Sequence, residues 1–236
     1  MIIVKLLALE SSGLVASAAI VEDDVLIAEY TTDFKKTHSQ TLLPMVDEIV
    51  RMTETDLSTI DAVAVSAGPG SFTGLRIGAA TAKGLCLALD KPIIAVPTLD
   101  ALIYGVGPTE KLVIPIMDAR RNQVYTKLNG ECTAMDMHEL ISELNEMCGT
   151  SGSGSDAGRE VLFLGDGVPV YRDQIEAEIT VPHSYAPAHL NRQRAASVGA
   201  LALALKPMNA DDFAPEYLRK SQAEREKEEN NRVQTD

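Results

Sequence analysis

The sequence predicts an α/β protein made of two similar halves, each a sheet flanked by helices, facing each other across a cleft. Strand-like and helix-like stretches alternate along the 236 residues. Each half runs strands, helix, strand, glycine turn, with an acidic residue, Glu10 or Asp118, after its first strand. Hydrophobic residues make up 45% of the chain, enough for a sizeable core at this length. The boundary is expected between Tyr104 and Glu110. That gives an N-terminal half of residues 1–106 and a C-terminal half of residues 107–218, whose last helix can pack back on the first half.

Ile2–Leu9, Ser17–Val21 and Val25–Tyr30 read as short strands, the last two joined by a tight turn at Glu22-Asp23-Asp24. In "THSQTLLPMVDEIVRMTET", Leu42, Met45, Val46, Ile49 and Met52 recur on one helical face, and Pro44 requires a helix that starts near Thr41 or bends. Ala62–Val65 is a buried strand, Thr73–Leu89 a helix and Ile93–Val96 a strand. In the second half, "KLVIPIMDARRNQVYTKLNGE" reads as two strands, with Asp118-Ala119-Arg120-Arg121 at the first turn and Asn129-Gly130 at the second. Met135–Met147 is helical, and "GTSGSGSDAG" (149–158) is a flexible loop. Val161–Leu164 is a strand ending in Gly165-Asp166-Gly167, as Ala62–Val65 ends in Gly68-Pro69-Gly70. Ala195–Leu205 is a helix, and residues 219–236 form a polar, disordered tail.

A net charge of −13, no Trp and 4% aromatic residues argue against a chain that binds RNA by itself. Cys86, Cys132 and Cys148 are odd in number and form no C-x-x-C pair, the pattern of reduced thiols in a cytoplasmic protein. The N-terminal apolar run lacks a small-residue cleavage site and reads as a core strand. No apolar stretch is long enough to cross a bilayer, so no membrane partner is expected.

Thr73–Leu89 carries two apolar stripes: Leu75, Ala79, Ala82, Cys86 and Leu89, then Ile77, Ala80, Gly84 and Leu87. A helix apolar nearly all round is buried all round. One stripe packs on its own sheet. The other is covered by a second subunit, or internally by the C-terminal helix or second half; the intermolecular reading is favoured, because a bare apolar patch of this size is rare. Gly74, Gly78 and Ala82, four apart, allow another backbone to approach. The preceding "SAGPGSFTGLRIG" lacks the Lys-Ser/Thr ending of a P-loop, so close packing explains its glycines better than phosphate binding.

Little catalytic chemistry is legible. His38, His138, His183 and His189 are scattered without metal-ligand spacing, and His38 at a helix start reads as a capping or interface residue. There is no G-x-S-x-G elbow. Asp118 with Arg120 and Arg121 could clamp an anion, but a turn salt bridge is the favoured reading. No catalytic residue and no metal site are assigned.

"SAGPGSFTGLRIGAATAKGLCLAL", preceded by "THSQTLLPMV" and followed by "PIIAVPTLDAL", "DARRNQVY" and "PEYLRKSQAER", resembles the bacterial TsaB (YeaZ) family from Met1 to about Arg225. The resemblance implies the actin/sugar-kinase/Hsp70-like ATPase fold. It also implies a non-catalytic assembly subunit required for threonylcarbamoylation of adenosine 37 in ANN-decoding tRNAs. The chain would dimerise with a catalytic TsaD-like paralogue or with itself, be joined by a TsaE-like small ATPase, and meet tRNA only through the complex. In the TsaD-like relative an H-M-E-G-H stretch holds a metal. Here that stretch falls on Thr98-Leu99-Asp100-Ala101-Leu102, so Thr98 and Leu102 replace the two histidines and the metal site is absent.

By the same resemblance, the helices Gln40–Thr53 and Thr73–Leu89 form the partner interface. The candidate residues are His38, Leu42, Met45, Val46, Ile49, Gly74, Leu75, Ile77, Gly78, Thr81, Ala82 and Leu85. The fold holds ATP phosphates on turns after the first strand of each half, which here means Glu10, Ser11, Ser12, Asp118 and Arg120. "ESSG" is thin in glycine and Glu is longer than the usual Asp. No cofactor is therefore expected to bind tightly, with ATP or ADP held weakly or at the subunit junction. A small ATP-binding phosphotransferase is the alternative; the older glycoprotease-type label is the weakest, since it lacks ligands.

Overall fold

A computed structural model describes residues 4–34, 36–149 and 155–219. Residues 150–154 of the predicted glycine-serine loop, and all of the predicted tail beyond Arg219, lie outside the described residues.

Two five-stranded sheets carry the chain, and they share one topology. The first is built from β1 (Lys5–Glu10), β2 (Ala16–Glu22), β3 (Val25–Thr32), β4 (Ala62–Gly68) and β5 (Ile93–Pro97), in the order β3-β2-β1-β4-β5. The second is built from β6 (Leu112–Asp118), β7 (Gln123–Leu128), β8 (Glu131–Asp136), β9 (Val161–Leu164) and β10 (His183–Tyr185), in the order β8-β7-β6-β9-β10. In each, an antiparallel meander is followed by a helix that returns the chain to a strand parallel to the first, and a second helix leads to the outer parallel strand. Those helices are α1 (His38–Thr53) and α2 (Phe72–Leu89), then α4 (Met137–Cys148) and α5 (Val168–Glu178). This duplicated layout is the actin/sugar-kinase/Hsp70-like fold. The repeat read from element order therefore exists as topology, although hardly a residue is shared.

β1 shows why the first sheet must be covered on both faces. Leu7 and Leu9 join a core with Leu42, Met45, Val46 and Ile49 of α1 and Ala79, Ala82 and Cys86 of α2. Leu6 and Ala8 point the other way, into a core with Ala101 of α3 (Thr98–Tyr104) and Ala195, Val198 and Ala202 of α6 (Ala195–Ala202). The period of two in a strand requires such a split. α6 thus crosses back from the end of the chain onto the first sheet. Gly199 permits the contact: a Cβ there would lie 2.6 Å from Val21 Cγ2. The second sheet buries Ile114, Ile116 and Phe163 against α4 and α5, and Leu99 and Leu102 of α3 pack on Met117, Leu162 and Leu164 between the halves.

Several boundaries differ from the sequence reading. α1 begins at His38 and runs through Pro44, its start held by His38 Nε2, 2.9 Å from Gly13 O. α4 begins two residues late because the Asp136 side chain caps it, accepting from His138 N at 2.8 Å. α6 stops at Ala202. α3, β8, α5 and β10 were not anticipated. Among the described residues, no helix is long and apolar enough to cross a membrane.

Candidate functional site: the cleft and the outer faces of two helices

The turns after β1, β4, β6 and β9 meet at a cavity of ≈ 420 Å³. Its walls include Ser12 and Gly13, Gly70 to Phe72, Met117 to Arg120, Tyr125 and Asp166, together with Tyr217, Leu218 and Arg219. Of the five expected nucleotide-site residues, Ser12, Asp118 and Arg120 line it; Glu10 and Ser11 are buried beneath.

The first turn directs its donors inward. Glu10 has no solvent exposure. Its Oε1 accepts from Ser12 N at 2.5 Å and from Ser12 Oγ at 2.6 Å, while Oε2 finds no partner among the described residues. Burial pushes the Glu10 carboxyl above the ordinary 4.5, against the lowering effect of the Ser12 hydrogen bonds. The backbone N–H of Ser12 is therefore taken by Glu10 and is not offered to a phosphate. Asp166, also raised by burial, accepts from Asp118 N at 3.3 Å.

The glycines of Ser66–Gly78 have a packing explanation. Ser71 N donates to Ser12 O at 2.7 Å, and Ser11 Oγ donates to Gly74 O at 2.9 Å. A Cβ would lie 2.4 Å from Ser12 O if built on Gly70, 2.1 Å from Ser11 O on Gly74, and 2.3 Å from Ser11 Oγ on Gly78. These glycines let α2 lie against the β1 turn. Gly68 (φ +124°) and Gly165 (φ +109°) occupy matching places in the two halves, each with a carbonyl 2.2 Å from where a Cβ would stand. A positive φ with no room for a side chain is what glycine supplies.

On the opposite wall, Asp118 Oδ1 accepts from Arg120 N at 2.8 Å and from Tyr171 Oη at 3.1 Å; Arg120 Nη1 lies 3.1 Å from Oδ2. Burial and the neighbouring Asp118 charge push the Tyr171 phenol to about 12. Arg120, Arg121 and Asn122 all have positive φ (65°, 57° and 59°), a strained run that fixes the turn at the cavity rim. Among the described residues no group of three or more His, Cys, Asp or Glu is placed to hold a metal. Thr98 and Leu102 are interior, Leu102 within the apolar contact between halves.

The expected interface residues divide into two sets. Leu42, Met45, Val46, Ile49, Gly74, Leu75, Gly78 and Ala82 are buried within the chain, so its own sheet and the β1 turn already cover that face. His38, Ile77, Thr81 and Leu85 are half-buried. The outer face of α2 presents Ala80, Gly84 and Leu87, the last 87% exposed, and a Cβ on Gly84 would meet nothing within 4 Å. On α1, Leu43 (54%) and Met52 (67%) are exposed; Met52 had been placed on the inner stripe.

The sequence reading missed Asp166, Gln193, Tyr217 and Arg219. Gln193 is 2% exposed, and neither of its amide atoms has a partner among the described residues, although it lies against Gly13. Asp166 had a signal, since it stands between two glycines as Pro69 does.

The family model described as TsaD, tRNA N6-adenosine threonylcarbamoyltransferase, matches residues 26–227. The "tRNA threonylcarbamoyladenosine biosynthesis protein TsaB" of Bacillus subtilis (strain 168) is 32% identical over 225 residues, covering 93% of this chain and 96% of that one. Its namesake in Escherichia coli (strain K12) is 36% identical over 186 residues, 69% of this chain and 79% of that one. A solved structure from Pseudomonas aeruginosa, described as an uncharacterized protein with similarity to peptidase YEAZ, is 25% identical, with a TM-score of 0.69, covering 92% of this chain and 100% of that one.

Proposed function

The chain belongs to the TsaB (YeaZ) family, and from that premise we propose that it serves tRNA threonylcarbamoyladenosine biosynthesis as a non-catalytic subunit. Its role is to pair with a TsaD-like partner through the outer faces of α1 and α2. One observation carries this reading: after the inner stripes of both helices are buried in the chain's own core, the outer faces still present Leu43, Met52, Ala80, Gly84 and Leu87 in a molecule of net charge −13. Exposed apolar surface rimmed by polar residues marks interaction sites, and the small Ala80 and Gly84 admit a close-packed neighbour. The inward-directed donors of the Glu10 turn support a scaffold over an ATP-hydrolysing enzyme. A second copy of the chain, or a small ATPase of the TsaE kind, would associate through or beside the same helices, in the cytoplasm.

The test is co-purification of the chain with a TsaD-like partner, comparing the wild type with Gly84→Glu and Leu87→Glu. Each variant is expected to fold as the wild type does and to lose at least tenfold in pairing affinity. Folded variants that pair as tightly as the wild type would contradict the proposed surface.

A further inference from the structure

We propose that the outer edge of β3 pairs antiparallel with the same edge of a second copy of the chain, joining the two first sheets into one continuous sheet. This surface goes beyond the pairing role and does not depend on it. Four strands end the two sheets, and they are not alike. β5 is closed by its own chain, since Ile93 and Met208 exchange backbone hydrogen bonds of 3.1 and 2.8 Å. β10 is three residues long, and β8 carries Glu131 and Asp136 at its ends. β3 runs for eight residues, VLIAEYTT, and among the described residues no backbone group pairs with its outer edge. An open strand of this length is a template for another strand.

The edge is apolar as well as open. Val25, Leu26, Ile27, Tyr30 and, just past the strand, Phe34 are exposed, Tyr30 by 47% and Phe34 by 68%. The one carboxylate of the strand is withdrawn from solvent. The Glu29 side chain is 8% exposed; its Oε2 accepts from Arg194 Nε at 2.9 Å and its Oε1 from Ala196 N at 2.9 Å. Asp33, one residue beyond β3, is paired with Arg192 at 3.2 Å. Charge therefore selects the occupant. A chain of net charge −13 repels its own copy over most of its surface, but β3 presents no unpaired charge to it. Residues 220–236 are nearly all polar and supply no apolar strand of their own.

The same charges fix the register. Two antiparallel copies related by a two-fold axis meet with one residue opposite itself. Centring on Glu29 would set two carboxylates face to face, which destabilises a sheet. Ile27 is the extra residue of a bulge, between the pairs Ile20–Ala28 and Val21–Leu26, so the regular ladder runs from Ala28 to Thr32. Centring on Tyr30 uses that ladder. It sets the two Tyr30 rings opposite each other, Glu29 opposite Thr31 and Ala28 opposite Thr32. Phe34 then reaches the apolar Val25–Ile27 end of the other copy.

The experiment is sedimentation velocity on the full chain over a concentration series, as wild type, Tyr30→Lys and Leu87→Glu, with circular dichroism to check folding. Lysine on an edge strand is one way that natural sheets keep their edges apart. The wild type is expected to reach a dimer, Tyr30→Lys to weaken it at least tenfold, and Leu87→Glu to leave it unchanged. Tyr30→Cys gives a second reading. Residues directly opposite bring their Cβ atoms within about 5 Å, so mild oxidation should link two copies of that variant and leave the wild type unlinked. If Tyr30→Lys does not fold, the cross-link decides, and its absence overturns the proposal. A dimer that Tyr30→Lys spares, or that Leu87→Glu abolishes, places the self-contact elsewhere and overturns it. A wild type that stays monomeric leaves the edge to a strand of another protein and overturns it too. None of these results bears on pairing with a TsaD-like partner.

Discussion

Glu10 is an uncomfortable charge for a folded chain to carry. One oxygen takes both donors of Ser12, and the other has no partner among the described residues, in a place that water does not reach. Its folded pKa is raised, chiefly by burial, so the folded state holds a proton that the unfolded state has released over a window beginning near 4.5 and extending upward. Within that window the native state binds more protons, and stability falls as pH rises. Glu10→Gln keeps an acceptor for Ser12 and removes the ionisation. Its thermal midpoint, measured against the wild type from about pH 4 to about pH 8, should gain progressively on the wild type as pH rises; parallel curves would contradict the account. A second contrast sits on α2. Ala82→Glu buries a carboxylate in the apolar core, a change that costs several kcal/mol and is expected to unfold the chain. Gly84→Glu, two residues on, points into open space and should leave stability within about 0.5 kcal/mol in a urea melt.

Elements were legible where periodicity or a continuous apolar run marked them. The 3.6-residue recurrence of Leu42, Met45, Val46 and Ile49 located the inner face of α1, and "AVAV" located β4. What periodicity could not decide was which stripe of α2 faces the core, because small and apolar residues occupy both. The physical answer lies in Gly74 and Gly78, which touch the β1 turn, a contact sixty or more residues away in sequence. α3 is a single short helix, β10 is three residues, and α5 carries only Val168, Tyr171 and Ile175 as buried positions, too thin a pattern to read. The segment after α6 has no regular element and is anchored by Phe213, so no periodicity announced its path. That anchor is itself testable: Phe213→Ala should cost about 3–5 kcal/mol in a denaturant melt, as for a fully buried aromatic. A loss under about 1 kcal/mol would show that the segment after α6 is not held by the core.

For the whole molecule, the order of elements foretold the duplication, and the two sheets repeat it strand for strand. Two copies of one supersecondary plan, each ending its first strand in a carboxylate, create a cleft whatever later happens to its chemistry. Here the first carboxylate is turned inward, while the outer faces of α1 and α2 stay apolar and open. That combination fits the proposed role of a partner-binding subunit built on an ATPase plan. The most direct test is a reconstitution containing tRNA, a TsaD-like partner, a TsaE-like ATPase and threonylcarbamoyl-adenylate, scored for modified adenosine with and without this chain. The account predicts modification only when the chain is present, none from the chain alone, and loss of its effect with Leu87→Glu. Equal modification with the chain left out would contradict it.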